Sequence, residues 1–201
     1  MQWSEVIEQP EGPARTLALT AWLQGLYPGD DVPILVGGSA VELFTRGAYV
    51  SADYDLVGFV PESVARKLKD VGFTRKGRYW IQEKEQIFLE FPSATLRVGE
   101  EFRAFGESGR EIRIISPEDL IVDRLLSLVY WGAKEDGVNA ALIFSQNRRS
   151  LDLRRLRKRA KDEGVEEALS KLQRLFHRRP DPTREDMSSF LEGASGGSSH
   201  E

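Results

Sequence analysis

A glycine pair between an apolar run and a helix-forming run, with two alternating carboxylates downstream, constrains this chain more than any other feature. The segment is Val36-Gly37-Gly38-Ser39-Ala40, and Asp53-Tyr54-Asp55-Leu56 begins fourteen residues past Ser39. Gly37 and Gly38 let the backbone turn sharply from strand to helix and let a ligand approach it closely. The helix N-terminus that follows has unpaired N–H groups and a partial positive charge, which suits phosphate. Ser39 adds a hydroxyl donor at the same place. A purely structural alternative stands beside this reading: Ser39-Ala40-Val41-Glu42 fits a capping box, in which Ser39 and Glu42 satisfy the helix end. The segment is not a dinucleotide fingerprint, because Glu42 occupies the third glycine's position.

Asp53 and Asp55 lie two apart on a predicted strand, so both point to one face while Tyr54 and Leu56 point to the other. Two carboxylates on one face repel unless solvent or a cation compensates. Mg²⁺ takes hard oxygen ligands, commonly one or two carboxylates plus substrate phosphates. A solvent-exposed strand end is the plainer account of the same pair.

Composition narrows the chemistry. The chain has 201 residues, enough for one large domain or two small ones. It has no cysteine, which excludes thiolate catalysis, disulfides and cysteine-bound metal and fits a cytoplasmic setting. Its 2 histidines, His177 and His200, rule against a histidine triad or a multi-histidine centre. Any metal therefore takes oxygen ligands. No apolar run reaches the roughly 20 residues of a membrane helix, and Met1 to Pro13 lacks a signal-peptide core. The expectation is a soluble cytoplasmic protein with no membrane partner.

The patterning predicts helices over Ala14–Tyr27, Ala40–Arg46 and Pro61–Val71, with strands over Val32–Val36 and Asp53–Val60. A hairpin is expected over Arg78–Gln82 and Gln86–Phe91, and a further strand over Glu111–Ile115. From Ser116 the chain reads as helical: Pro117–Trp131, Glu135–Gln146, Leu151–Glu163 and Val165–His177. Ser116-Pro117-Glu118-Asp119 is a good helix start, with a serine cap, proline at N1 and acids in the first turn. The fold class is α+β, with a mixed sheet and flanking helices followed by a C-terminal helical domain. The expected divisions are residues 1–115, 116–180 and a disordered tail over 181–201, whose end is rich in glycine and serine.

The order of these motifs resembles the nucleotidyltransferase fold of the DNA polymerase β-like superfamily. Its signature is carried by Val36-Gly37-Gly38-Ser39 and by Asp53-Tyr54-Asp55-Leu56. The resemblance implies a third carboxylate on a later strand, for which Glu90 in Ile87-Phe88-Leu89-Glu90-Phe91 is the candidate; a salt-bridged or edge-strand glutamate is the alternative. Ser116-Pro117-Glu118-Asp119-Leu120 with Asp123-Arg124-Leu125-Leu126, and then Arg149-Ser150-Leu151-Asp152-Leu153, look like the helical segments of AbiEii-like and MenT-like toxin nucleotidyltransferases. By that resemblance Arg124 stands where a phosphate-contacting lysine is expected, and Asp152 completes the active site. It further implies Mg²⁺ held by Asp53, Asp55 and Glu90. NTP phosphates would lie at Gly37, Gly38, Ser39 and Arg124, and the chemistry would follow a two-metal scheme.

Charge suggests an acceptor. Residues 1–147 carry 15 Lys and Arg against 22 Asp and Glu, whereas 148–179 carry 12 against 5. Arg148, Arg149, Arg154, Arg155, Arg157, Lys158, Arg159 and Lys161 share that stretch with Asp152. Such density favours a phosphate backbone, so RNA, tRNA included, is one expected partner. A solvated helix face with its arginines paired to nearby acids is the alternative. Trp80, Phe88, Phe91, Tyr130 and Trp131 are expected in the core. The expected function is transfer of NMP from NTP to an RNA or protein hydroxyl, as the toxin of a pair with a cognate antitoxin. The second reading is a catalytically silent nucleotide- or RNA-binding module.

Overall fold

Alternating apolar positions and short turns assemble the first part of the chain around one sheet. The structure is a computed structural model and describes residues 1–106, 111–179 and 181–191. The described residues divide after Ser116 into two compact units. The first contains helices α1 (Trp3–Ile7) and α2 (Pro13–Gln24), strand β1 (Ile34–Leu35), helix α3 (Gly37–Phe44), strand β2 (Tyr54–Val57) and helix α4 (Glu62–Asp70). Strands β3 (Thr74–Lys76), β4 (Tyr79–Gln82), β5 (Ile87–Ser93), β6 (Phe102–Phe105) and β7 (Ile112–Ile115) complete it.

Among the described residues, seven strands form one mixed sheet in the order β3-β4-β5-β2-β1-β7-β6. β2 pairs antiparallel with β1 and parallel with β5, and β1 pairs parallel with β7. The expected hairpin forms with Gln82 opposite Ile87 and Tyr79 opposite Glu90. Both sides of this unit's core come from the apolar positions the patterning marks. Leu19, Trp22 and Leu23 of α2, Val41 and Phe44 of α3, Leu68 of α4, and Leu35, Leu56 and Leu89 of the strands are all buried. Trp3 packs on Trp22 and Phe73, with ring centroids 4.8 and 5.4 Å away.

The expected elements are present with shorter strands and shifted ends. β1 keeps two residues of the predicted five, and β2 runs from Tyr54 rather than Asp53. α3 begins at Gly37, three residues before the predicted start, because the Ala40 N–H already donates to the Val36 carbonyl at 3.2 Å. Strands β3 and β6 flank the sheet at its two edges; β3 is polar throughout (Thr74-Arg75-Lys76), and β6 is a short exposed segment, so neither shows a buried-face alternation.

The second unit is helical: α5 (Pro117–Trp131), α6 (Lys134–Asn147), α7 (Leu153–Asp162), α8 (Glu166–Arg178) and α9 (Arg184–Leu191). The first four follow the predicted spans closely. α9 falls where a disordered tail is expected. Asp186 accepts from the Thr183 backbone and hydroxyl at 3.0 Å each, and Met187 is buried, so the segment has a helix start and an apolar anchor. The remainder of that expected tail, 192–201, lies outside the described residues. No described helix is long and apolar enough to cross a membrane.

Two of the five aromatics expected in the core are exposed. Trp80 is buried and Phe88 and Phe91 are half-buried, but Tyr130 and Trp131 are 61% and 76% exposed. They occupy the last turn of α5, where Gly132 at φ +65° stops the helix before α6 can cover them.

Polar burial holds the start of α5 to α7. Glu118 and Asp119 are buried, and neither lies in open solvent as first-turn acids usually do. Glu118 accepts the Asp152 backbone N–H at 2.7 Å. Asp119 receives the Arg159 guanidinium at 2.9 Å and also that of Arg155. Arg159 has Glu163 as a further partner at 3.0 Å. Charge buried this way is tolerated only when paired, and removing one partner costs about 3–5 kcal/mol. Asp119→Ala is therefore expected to lower unfolding free energy by about that amount, read from urea titration with an unchanged slope; a loss below about 1 kcal/mol would show that the pair does not hold the helices.

Candidate functional site

The site grows from the turn between β1 and α3. Gly37 adopts φ +57°, a left-handed conformation that costs other residues roughly 1–2 kcal/mol. The reason for glycine here is also steric. A Cβ on Gly37 would lie 2.6 Å from Cγ of Asp55 and closer still to its carboxylate oxygen. A Cβ on Gly38 would meet Ser51 Oγ at 2.5 Å. The glycine pair thus brings the start of α3 against the Asp53–Asp55 segment.

That closeness is used in hydrogen bonds. The Gly38 N–H donates to Asp55 Oδ2 at 3.1 Å, and the Val36 N–H donates to the Asp55 carbonyl at 2.9 Å. Ser39, fully buried, donates its hydroxyl to the Asp53 carbonyl at 2.5 Å. Ser51 donates to the same carbonyl at 2.9 Å. The capping-box alternative does not form. Val36 is the N-cap residue, and Glu42 points to α2, where the Thr16 hydroxyl donates to it. Burial pushes the Glu42 carboxyl above the usual carboxylate range, while the bonds from Thr16 and the Ser51 backbone act the other way. Part of the positive end of α3 is therefore already committed to a carboxylate of the protein itself.

Sheet register supplies the third acid. Parallel pairing of β2 with β5 sets Glu90 beside Asp55. Asp53, Asp55 and Glu90, all half-buried, have carboxylate oxygens within 4.8 Å of one another. Two oxygens on opposite sides of one Mg²⁺ are about 4.2 Å apart, twice the usual Mg–O distance. Small side-chain rotations would close this set around an ion. Three hard oxygen donors, with no soft ligand among them, suit Mg²⁺ or a similar cation.

One neighbour was not expected from the sequence. Arg78 extends from the turn before β4 and meets Glu90 at 2.7 Å, with its own side chain 58% exposed. The Tyr79 hydroxyl lies 3.1 Å from its guanidinium. The Tyr79 bond, then the charges of Glu90 and Asp55, strengthen its hold on its proton. The hairpin register puts Tyr79 opposite Glu90, and Arg78 reaches the acid from the turn, a contact that strand alternation does not mark. Both views of Glu90 thus hold in part: it is salt-bridged, and it belongs to the acid cluster.

The remaining candidates belong to the helical unit, where each has a structural role. Arg124, only 17% exposed at its side chain, bridges Asp123 and Asp136 at 2.9 Å each and so ties α5 to α6. Asp152 is the exposed N-cap of α7, accepting from the Arg154 and Arg155 N–H groups at 2.9 and 3.0 Å. Of the basic run, Arg155 and Arg159 pair inward with Asp119, while Arg148, Arg149, Arg154, Arg157, Lys158 and Lys161 are exposed.

The first unit thus combines a mixed sheet, flanking helices, a glycine turn into α3 and three clustered carboxylates at β2 and β5. No family model matches the sequence, and no curated protein matches it. Among solved structures, that of an antigenic nucleotidyltransferase-like protein from Paracoccidioides brasiliensis has the same fold, with a TM-score of 0.53 at 16% identity. The match covers 93% of this chain and 96% of that one. At that identity the likeness concerns fold.

Two outcomes follow from the geometry. Gly37→Ala is expected to weaken Mn²⁺ binding at the cluster, measured by calorimetry, and to destabilise the fold by about 1–2 kcal/mol, because the new methyl displaces the Asp55 carboxylate. Arg78→Ala is expected to strengthen Mn²⁺ binding roughly 2- to 5-fold, since an exposed ion pair competing for Glu90 is lost. Weaker binding in the Arg78 variant would show that the arginine supports the ion site rather than competing with it.

Proposed function

We propose that the protein is a Mg²⁺-dependent nucleotidyltransferase that moves NMP from an NTP to a hydroxyl of RNA. The observation that carries this reading is the trio Asp53, Asp55 and Glu90 gathered beside the N-terminus of α3 within a nucleotidyltransferase-like fold. These three residues would hold the cation, which supplies charge neutralisation at the phosphates and polarisation of the acceptor hydroxyl. Backbone N–H groups of Gly37 and Ser39 would orient the triphosphate, joined by that of Gly38 where Asp55 turns from it to the cation. In the reaction the acceptor oxygen bonds to the α-phosphorus, the bond to the β-phosphate breaks, and pyrophosphate and a proton leave.

The exposed cations between Arg148 and Lys161 support RNA, tRNA included, as the acceptor. The AbiEii- and MenT-like motifs in Ser116–Leu126 and Arg149–Leu153 support a toxin role with a cognate antitoxin. In that reading Arg124 contacts phosphate and Asp152 completes the site. Both now have other partners in the helical unit, which favours a second reading: a nucleotidyltransferase-like module that binds nucleotide or RNA without turnover.

Incubation with α-labelled ATP, CTP, GTP and UTP, Mg²⁺ and total RNA separates the two. Transfer of label to RNA is expected, and Asp53→Asn is expected to lower it by at least about 100-fold, the upper end of what loss of a mere outer-shell partner of a metal costs. No transfer from any of the four nucleotides, together with NTP binding that survives Asp53→Asn, would establish the silent module instead.

A further inference from the structure

Tyr130 and Trp131 present an aromatic surface that the fold leaves uncovered. Their rings meet edge-on with centroids 6.2 Å apart. The other tryptophans behave differently: Trp22 and Trp80 are buried, and Trp3 packs between Trp22 and Phe73. The Tyr130 hydroxyl lies against Gly164, where an added Cβ would sit 3.2 Å from it. Gly164 follows directly on the C-cap of α7, and its N–H donates to the Lys161 carbonyl. The ring pair therefore stands at the C-terminal end of α7.

α7 has two faces. Leu156, Arg159 and Ala160 are buried, whereas Arg154, Arg157, Lys158 and Lys161 are exposed. The exposed four are spaced by three, four and seven residues, so they form one stripe along the helix, roughly 10 Å from first to last at 1.5 Å per residue. Lys158 shares its charge with Asp162 at 2.8 Å, while Arg154, Arg157 and Lys161 carry no salt bridge among the described residues. The arginines that do pair, Arg155 and Arg159, are turned inward to Asp119. Structural pairing thus consumes one side of the basic run and leaves the other for a partner.

A cationic stripe that ends at an exposed aromatic pair matches one ligand chemistry well. Phosphates are neutralised along the stripe, and a base that is not already stacked in a duplex can lie on a ring. We propose that the outer face of α7 and the Tyr130–Trp131 end of α5 form a binding surface for single-stranded nucleic acid. This deepens the RNA half of the function proposed above and rests on it for a biological role, but binding at this surface requires neither NTP nor metal.

The test uses the full chain without nucleotide or divalent ion. A short single-stranded oligoadenylate is titrated in while tryptophan emission and the anisotropy of a labelled oligonucleotide are followed. Expected results are quenching that disappears in Trp131→Ala and an affinity loss of about 5- to 150-fold in that variant, the range for one stacked base. Trp131→Phe should recover most of the affinity. The double variant Arg157→Ala, Lys161→Ala should reduce the salt slope of log K by roughly 1.4. Melting curves of all variants should overlay the parent curve, because the altered residues are exposed. The inference is overturned if the oligonucleotide does not bind at low salt, if a duplex of equal length binds as well, or if Trp131→Ala binds unchanged. It also fails if the aromatic pair mediates only protein association. Oligonucleotide binding that persists while label transfer is absent would sink the transferase reading alone; transfer without binding here would sink this surface alone.

Discussion

Everything at the candidate site depends on the parallel pairing of β2 with β5, which sets Asp55 beside Glu90 across 35 positions of sequence. With Asp53, that pairing crowds three carboxylates within 4.8 Å. At such a separation each pair repels by between about 1 and 3.5 kcal/mol, depending on whether water or a half-buried environment sets the dielectric. The fold offsets this from two sides. Gly38 directs an N–H at Asp55 from the positive end of α3, and Arg78 places a guanidinium on Glu90. Both compensations act only as far as a cation does not, so the cluster is a site stabilised by stand-ins for positive charge.

The glycines serve this arrangement more directly than they serve a ligand. Gly37 is required because Asp55 occupies the volume of a Cβ, and Gly38 because Ser51 does the same. A phosphate cradle and a carboxylate cradle ask for the same backbone, since both need exposed N–H groups and close approach. Buried Ser39 illustrates the difference: its hydroxyl pins the Asp53 backbone rather than facing outward.

In the helical unit the same residue types divide between structure and surface. Asp119 and Glu118 are conspicuous in sequence as helix-start acids, yet they are buried anchors for α7. Arg155 and Arg159 answer Asp119, and Arg124 answers Asp123 and Asp136. A basic run read as a single feature is in fact an inner and an outer face. Helical periodicity sorts the residues into those faces, but only packing shows which acids lie beneath.

The sequence by itself determined the α+β class, the helical second half, the strand-glycine-helix turn and the closeness of Asp53 and Asp55, because these follow from local periodicity and from what glycine and proline permit. It also marked Glu90, through a resemblance rather than through spacing. The tertiary structure decided the rest. That β2 pairs with β5, that Arg78 rests on Glu90, that Asp119 holds Arg155 and Arg159, and that Tyr130 and Trp131 stay exposed all depend on how separate segments pack. Such contacts are set by which strands pair and where a helix stops being covered, and neither is written in the periodicity of any one segment.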